Sequence, residues 1–298
     1  MGVDAGELAR RFEEHRPYLV RLAYSTLGVR SEAEDVVQEA WLRLQRTDAA
    51  TIDNLRAWLT TVTGRLALDA LGSARARRER YVGSWLPEPD VTEPDPADRV
   101  TQDERVTMAL LVVLESLSPA ERTAFVLQDV FGMSSGETAD VVGRTPAAVR
   151  QLATRARKHV QDGTPRFPAT ADQQAQIVDA FTVAWRSGNL DSLLALLDAN
   201  VTFTADGGGK VTALRQPVHG AESVARTLIV FGRVGRQAGV RGAPVLVNGQ
   251  PGVVLGQGIE TSVYSFTIDA GKIVAIHVMR NPDKLRGLPE FPDDEWFR

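Results

Sequence analysis

The chain of 298 residues contains no cysteine, which excludes disulfides, thiolate catalysis and cysteine-ligated metals. Histidine is scarce: the four present are not spaced as metal ligands, so no metal site is expected. No apolar run is long enough to span a bilayer, and the N-terminal MGVDAGELARRFEEH lacks the basic-then-apolar order of a signal peptide. The expectation is a soluble cytoplasmic protein with no membrane contact and no cofactor. The cationic excess of a protein that coats nucleic acid is also missing. With a formal net charge of -4, any DNA contact must rest on local basic patches.

What the sequence does contain is punctuated by two breaks. Between Tyr81 and Asp98, Pro87, Pro89, Pro94 and Pro96 stand among acids, forbidding a continuous helix and favouring an extended linker. DGTPRFP, from Asp162 to Pro168, stops a helix with glycine and two prolines. The length suits about two domains, and the breaks divide it into three folded pieces.

SSGETADVVGRTPAAVRQLATRARK, from Ser134 to Lys158, reads as two short helices joined by a tight turn and ending in cations. Ser134 and Glu137 form a capping box, Ala139 and Val142 give the first helix an apolar face, and Gly143 stops it. Thr145 caps the second helix, Pro146 takes its first position, and Val149, Leu152 and Ala156 continue an inward stripe. Arg150, Gln151, Thr154 and Arg155 point outward. Such a helix suits the DNA major groove, with its N-terminal residues at base edges and later cations on phosphates. An ordinary helical hairpin with a solvated basic face is the plainer reading.

The first piece is helical. Ser31 can pair with Glu34 in another capping box before AEDVVQEAWLRL, where Ala33, Val36, Val37, Ala40, Trp41 and Leu44 recur at core spacing. Glu34, Asp35, Gln38 and Glu39 gather on the opposite face. In the next helix Leu55, Trp58, Leu59, Val62, Leu66 and Leu71 suggest core, while Arg65, Arg75, Arg77, Arg78 and Arg80 build a basic end. An acidic face and a basic end on separate helices suit a basic protein partner and a nucleic-acid backbone, respectively.

AEDVVQEAWLRL, NLRAWLTTVTGRLALDAL and LSPAERTAFVLQDVFGMSSGETADVVGRTPAAVRQLATRARKHV, in that order, resemble the extracytoplasmic-function (ECF) sigma factors of bacterial RNA polymerase. The resemblance implies that residues 1–80 are sigma domain two, that a linker over 81–100 follows, and that 101–161 form sigma domain four. It implies that Glu34, Asp35, Gln38 and Glu39 dock on core polymerase. Asn54, Arg56, Trp58 and Arg65 would then meet the minus-ten promoter element. Trp58 has two readings, base stacking or core packing, and its periodicity favours the core. Thr145, Ala147, Ala148, Arg150, Gln151, Thr154 and Arg155 would read the minus-thirty-five element, with Leu127, Val130 and Phe131 supporting them from inside.

After a short linker over 162–170, residues 171–298 are additional. An amphipathic helix through Ile177, Val178, Phe181 and Trp185 leads past Gly188 into a Leu-rich helix and an alternating strand. Asn248-Gly249 marks a hairpin, and strands alternate on both sides of a DAGK turn. The expected fold is an α+β cone with helices on a curved antiparallel sheet, similar to SnoaL-like proteins, behind two all-α sigma domains.

Three short sequences resemble those of the sigma-factor subfamily that carries such an extension. These are WLPEP (Trp85, Leu86, Pro87, Glu88, Pro89), DGGGK (Asp206, Gly207, Gly208, Gly209, Lys210) and NPDKL (Asn281, Pro282, Asp283, Lys284, Leu285). The resemblance implies regulation in cis by the C-terminal domain, with core RNA polymerase and promoter DNA as partners. Several alternatives stay open. DGGGK can be a simple turn. The extension can hold a small-molecule ligand in its pocket, or perform acid-base chemistry with Asp206, His219, Tyr264 and His277, although no catalysis is expected. The whole chain can also be a ligand-sensing helix-turn-helix regulator.

Overall fold

The computed structural model describes residues 5–48, 51–78, 81–94, 106–256, 260–286 and 288, and only the backbone of 5 and 75–77. The chain divides into two compact units, one of Met1–Arg80 with Val113–Gly163 and one of Tyr81–Val112 with Thr164–Arg298. Among the described residues, no helix is long and apolar enough to cross a membrane.

In the first unit, α1 (Ala5–Leu27), α2 (Arg30–Arg46) and α3 (Leu55–Arg78) pack around Phe12, Leu19, Val37, Leu44, Leu59 and Leu71. Helix α2 starts one residue before Ser31, with Val29 as an N-cap lacking any side-chain cap. The expected Ser31–Glu34 capping box is therefore not formed: Ser31 lies inside the first turn, where its backbone is already helical, and Glu34 instead pairs with Arg30 at 3.4 Å. The apolar stripe of α2 is as expected, with Ala33, Val36, Val37, Ala40 and Leu44 buried and Trp41 half-buried.

The same unit holds α5 (Pro119–Phe125), which runs into a π turn at Val126–Val130, then α6 (Ser135–Val142) and α7 (Pro146–Gly163). Ala124, Ala139, Val142 and Val149 form their core. A smaller cluster of Leu22, Leu127 and Val141, joined by Tyr18 and Phe131, ties α1 and α6 to the π turn. Leu127 and Phe131 thus support the helical hairpin, but by packing toward α1. Glu115 pairs with both Arg78 and the fully buried Arg122. Burial is the largest influence on Arg78 and lowers its pKa, with Glu115 opposing it.

The second unit is built on a seven-stranded sheet in the order β1-β4-β5-β6-β7-β2-β3. Its strands are β1 (Val91–Thr92), β2 (Leu197–Asp206), β3 (Val218–His219), β4 (Gly242–Val247), β5 (Gln250–Leu255), β6 (Ser262–Asp269) and β7 (Lys272–Met279). Pairing is antiparallel except between β2 and β7, which run parallel, so the sheet is mixed. Two-residue turns at Asn248-Gly249 (φ 51° and 76°) and Ala270-Gly271 (φ 47° and 77°) close the expected hairpins.

One face of this sheet packs on α8 (Ala171–Ser187), α9 (Leu190–Leu196) and α10 (Ala221–Gln237) through Phe181, Trp185, Phe203, Leu228, Phe266 and Ile276. On its other face, Val245, Val247, Val254, Val263 and Met279 are joined by Leu86 and by Met108, the first residue of α4 (Met108–Leu114). The described part of the proline-rich segment is extended as expected, yet it is also held: Val91 pairs with Val247 and Thr92 with Leu246 at the sheet edge.

Candidate nucleic-acid and regulatory sites

The helical hairpin carries its own local logic. The Ser134 hydroxyl accepts from the Glu137 amide at 3.2 Å, and the Glu137 carboxylate accepts from the Ser134 amide at 2.8 Å. That pairing, led by the Ser134 side chain, holds the Glu137 carboxyl below its ordinary range. Gly143 ends α6 at φ 67°, a left-handed conformation that suits glycine. Thr145 accepts from the Ala148 amide at 3.2 Å and starts α7.

Helix α7 buries Val149, Ala153 and Ala156. Leu152, expected in the inward stripe, is half-buried, and Ala153 occupies the deeper place. Thr145, Ala147, Arg150, Gln151, Thr154 and Arg155 are exposed and Ala148 half-buried, giving one continuous polar surface. Arg155 pairs with Glu121 at 2.8 Å, so a phosphate at that position would have to displace a carboxylate.

On α2, Glu34, Asp35 and Gln38 are exposed and Glu39 is half-buried. Arg43 pairs with Glu39 one turn away at 3.1 Å, bracing the acidic face without covering it. On α3 the expected DNA residues have separate occupations. Asn54 caps the helix by accepting from the Ala57 amide at 3.0 Å, and the Arg56 guanidinium lies 4.6 Å from the centre of the Tyr18 ring. Trp58 packs half-buried against the α1–α3 core. Arg65 reaches α6, donating from Nε at 3.0 Å and Nη2 at 2.8 Å to the carbonyl of Asp140. The side chains of Arg75 and Arg77, and all of Arg80, lie outside the described residues.

In the second unit the three short motifs meet at Asp206, which is fully buried. Its Oδ1 accepts from the Tyr81 hydroxyl at 2.6 Å and the Gly208 amide at 3.0 Å. Its Oδ2 accepts from the Leu86 amide at 2.9 Å and Lys284 Nζ at 2.8 Å. All four acceptor positions of the carboxylate are therefore used. Lys284 also donates to the Leu86 carbonyl at 2.6 Å and lies 4.0 Å from the centre of the Trp85 ring. The Asn281 side chain donates to the Tyr81 hydroxyl at 2.7 Å. Burial, reinforced by Asp206, raises the Tyr81 pKa well above the ordinary phenol value, so it remains a donor.

The glycines of DGGGK are more than a chain reversal. Gly208 has φ +63°, and a Cβ there would sit 2.4 Å from the Asn281 amide nitrogen. Lys210 pairs with Asp283 at the outer side of the same junction. Among the motif residues, Trp85, Leu86, Asp206, Gly208, Lys210, Asn281, Asp283 and Lys284 are joined by these contacts; Leu285 packs on the apolar face that holds Leu86. Pro87, Glu88 and Pro89 continue the strand-like path toward β1, Gly207 and Gly209 complete the turn, and Pro282 begins a 3-10 turn capped by Asn281.

Sequence reasoning missed Tyr81, the first residue of the proline-rich segment, and Asn248. The turn residue Asn248 accepts from the Asp90 amide at 3.1 Å and donates to the Val106 carbonyl at 3.1 Å, fastening that segment and the residue that precedes α4 by two. A left-handed Asn in a hairpin is the only local signal, and it says nothing of a partner so distant in sequence.

The four residues considered for acid-base chemistry do not converge. Asp206 is saturated, His219 is exposed on the edge strand β3, and Tyr264 lines a cavity under α10. His277 alternates with Ile276 and Val278, which face the helices, so it lies on the opposite face of the sheet. Burial pushes its imidazole down to about 4.

Residues 11–77 match the Sigma-70 region 2 model and residues 107–160 the Sigma-70, region 4 model. Along nearly its whole length the chain is 41% identical, over 293 residues, to the ECF RNA polymerase sigma factor SigJ of Mycobacterium tuberculosis, covering 93% of each. The chain belongs to the ECF sigma factors. The probable ECF sigma factor SigI of Mycobacterium tuberculosis is 38% identical over 283 residues, covering 92% of this chain and 93% of that protein. The crystal structure of SigJ superposes with a TM-score of 0.76 at 37% identity, covering 94% of this chain and 99% of that one. As an alternative sigma factor, the chain directs RNA polymerase to promoters, and its region 2 and region 4 imply binding of core polymerase and promoter DNA. The α+β part follows region 4, and the similarity to SigJ runs through it.

Proposed function

We propose that this ECF sigma factor is regulated in cis, its C-terminal unit holding the segment after region 2 through the Asp206 cluster. One observation carries the reading. The segment's Tyr81 and Leu86 supply two of the four donors on a single buried carboxylate, so its departure leaves each oxygen of Asp206 one donor short and takes the Leu86 carbonyl from the buried Lys284. Covalent tethering keeps the two partners at high effective concentration, so that modest changes in this contact shift the populated state.

In this reading residues 1–80 and 101–161 act as sigma domains two and four, and 171–298 as the regulatory domain. Glu34, Asp35, Gln38 and Glu39 meet core polymerase. Asn54, Arg56 and Arg65 serve the minus-ten element, with Trp58 holding its helix in place. Thr145 to Arg155 read the minus-thirty-five element, and the protein works in the cytoplasm and catalyses no reaction itself. Engagement of promoter DNA by Arg65 requires its bond to Asp140 to open.

The test is transcription from fragmented genomic DNA by purified core polymerase, with and without the full chain, mapping new start sites. New starts sharing an upstream motif are expected, and their yield should change when Asp206→Asn loosens the cluster. Starts insensitive to that substitution would refute regulation through this contact; specific duplex binding without polymerase, with no new starts, would favour the helix-turn-helix regulator.

A further inference from the structure

A cavity of about 630 Å³ opens between α10 and the concave face of the sheet. Trp185, Phe203, Leu214, Phe231, Leu255 and Val278 make its walls mainly apolar. Its volume lies in the range of small-molecule sites. Val230 and Val234 line it while remaining exposed, Val234 at 56%. They form an apolar lip on a helix whose deeper side is packed in the core.

The polar groups in this cavity are not equivalent. Trp185 donates its Nε1 hydrogen to the Leu228 carbonyl at 2.7 Å. Arg280 is occupied by Ser262 at 3.1 Å, by Glu260 at 3.0 Å and by the Thr212 carbonyl. Its charge is thereby balanced within the wall. Tyr264, its ring centred 5.0 Å from that of Trp185, lines the same cavity. Burial pushes this phenol up to about 12, with Arg280 opposing, so it stays neutral and remains a donor. A hydroxyl that lines the cavity and keeps its proton can donate to an acceptor carried into it.

We propose that the cavity is a binding site for a neutral, largely apolar small molecule carrying one hydrogen-bond acceptor, such as a ketone oxygen, seated against the Tyr264 hydroxyl. The internal pairing of Arg280 with Glu260 leaves no net charge to attract an ion, and the small polar share of the lining favours an apolar body. The site uses side chains other than those of the Asp206 cluster, although Ala205 and Arg280 of its lining adjoin Asp206 and Asn281 in the chain, and its occupancy can be read without the sigma activity.

The probe is 6-propionyl-2-(dimethylamino)naphthalene, a neutral, solvatochromic ketone small enough for the cavity, titrated into the full chain. Saturable binding with a blue-shifted emission is expected. Tyr264→Phe should weaken it roughly three- to tenfold, the value of one neutral hydrogen bond. Val234→Trp, which can fold an indole over the opening from an exposed position, should abolish it. Should Tyr264→Phe fail to fold by circular dichroism, Val234→Trp decides alone. Absence of saturable binding, binding unchanged by Val234→Trp, or tighter binding of the anion 8-anilinonaphthalene-1-sulfonate at the same site would overturn the assignment.

Discussion

Arg65 donates both Nε and Nη2 to the main-chain carbonyl of Asp140, so a cation of region 2 is joined to the backbone of the helical hairpin in region 4. The neighbouring Gly64 makes the approach possible: a Cβ there would lie 2.9 Å from Val141 Cγ1. Gly64→Phe should therefore destabilise the chain by about 1 to 3 kcal/mol through overpacking. Arg65→Ala, at an exposed position, should cost under about 1 kcal/mol. Urea unfolding followed by circular dichroism measures both, and a Gly64→Phe protein as stable as the parent would contradict the packing of α3 on α6.

The Asp206 cluster makes a sharper prediction. Asp206→Asn keeps the shape but turns an amide NH2 toward donors that now lack an acceptor. Removing one partner of such a buried pair should cost about 3 to 5 kcal/mol. Gly208→Ala should cost about 2 kcal/mol or more, since it adds the strain of a positive φ to a collision with Asn281. Thermal unfolding of each variant checks this; near-parental stability of both would show that the cluster holds nothing.

Much of this architecture could be read from short-range pattern. Ser134 with Glu137, Gly143 and Thr145 all act within a few residues, and each has the role its sequence suggests. The Ser31–Glu34 box failed because the same S-x-x-E pattern cannot say whether its serine lies outside or inside the first turn. The parallel pairing of β2 with β7 and the meeting of residues 81, 86, 206 and 284 are set by tertiary packing, for which the local sequence has no period. The three motifs pointed to a shared role through resemblance, whereas Tyr81 and Asn248 stood in no motif.

His277 gives the stability of the chain a pH dependence of known sign. Its Nδ1 is buried without a hydrogen-bond partner, and its folded pKa of about 4 lies below the ordinary 6.5. The unfolded chain therefore takes up a proton first. This contribution is flat above pH 6.5, falls as the pH drops, and levels out below about 4. The loss is about 2 kcal/mol by pH 5 and about 3 kcal/mol in full. Comparing urea midpoints at pH 7 and 5 for the parent and His277→Leu tests this; an equal pH slope in the two would remove His277 as the cause.

Arg150 is exposed in the first turns of α7, so its replacement by alanine should leave folding within about 0.5 kcal/mol. Promoter-dependent transcription should nevertheless weaken by the equivalent of about 1 to 3 kcal/mol if its guanidinium reads a base. Unchanged transcription at a promoter found by start-site mapping would exclude that contact.

A chain ended after Pro168 should keep the helices of the first unit, whose clusters are complete without residues beyond Gly163. Leu86, Val91 and Met108 would lose the sheet they pack on or pair with. Limited proteolysis should then cut within 81–112 while circular dichroism retains the helical signal. Protection of that segment in the shortened chain would contradict its dependence on the C-terminal unit.

The distances along the chain within the Asp206 cluster also impose an order of events during synthesis. Region 4 is complete at residue 160, whereas the Lys284 side chain that closes on Leu86 and Asp206 belongs to a residue made much later. At typical translation rates the interval is roughly 6 to 25 s. A nascent chain thus presents both sigma regions to the ribosome's surroundings before the contacts on residues 81–92 exist, and every molecule passes once through a form in which that segment is not yet held.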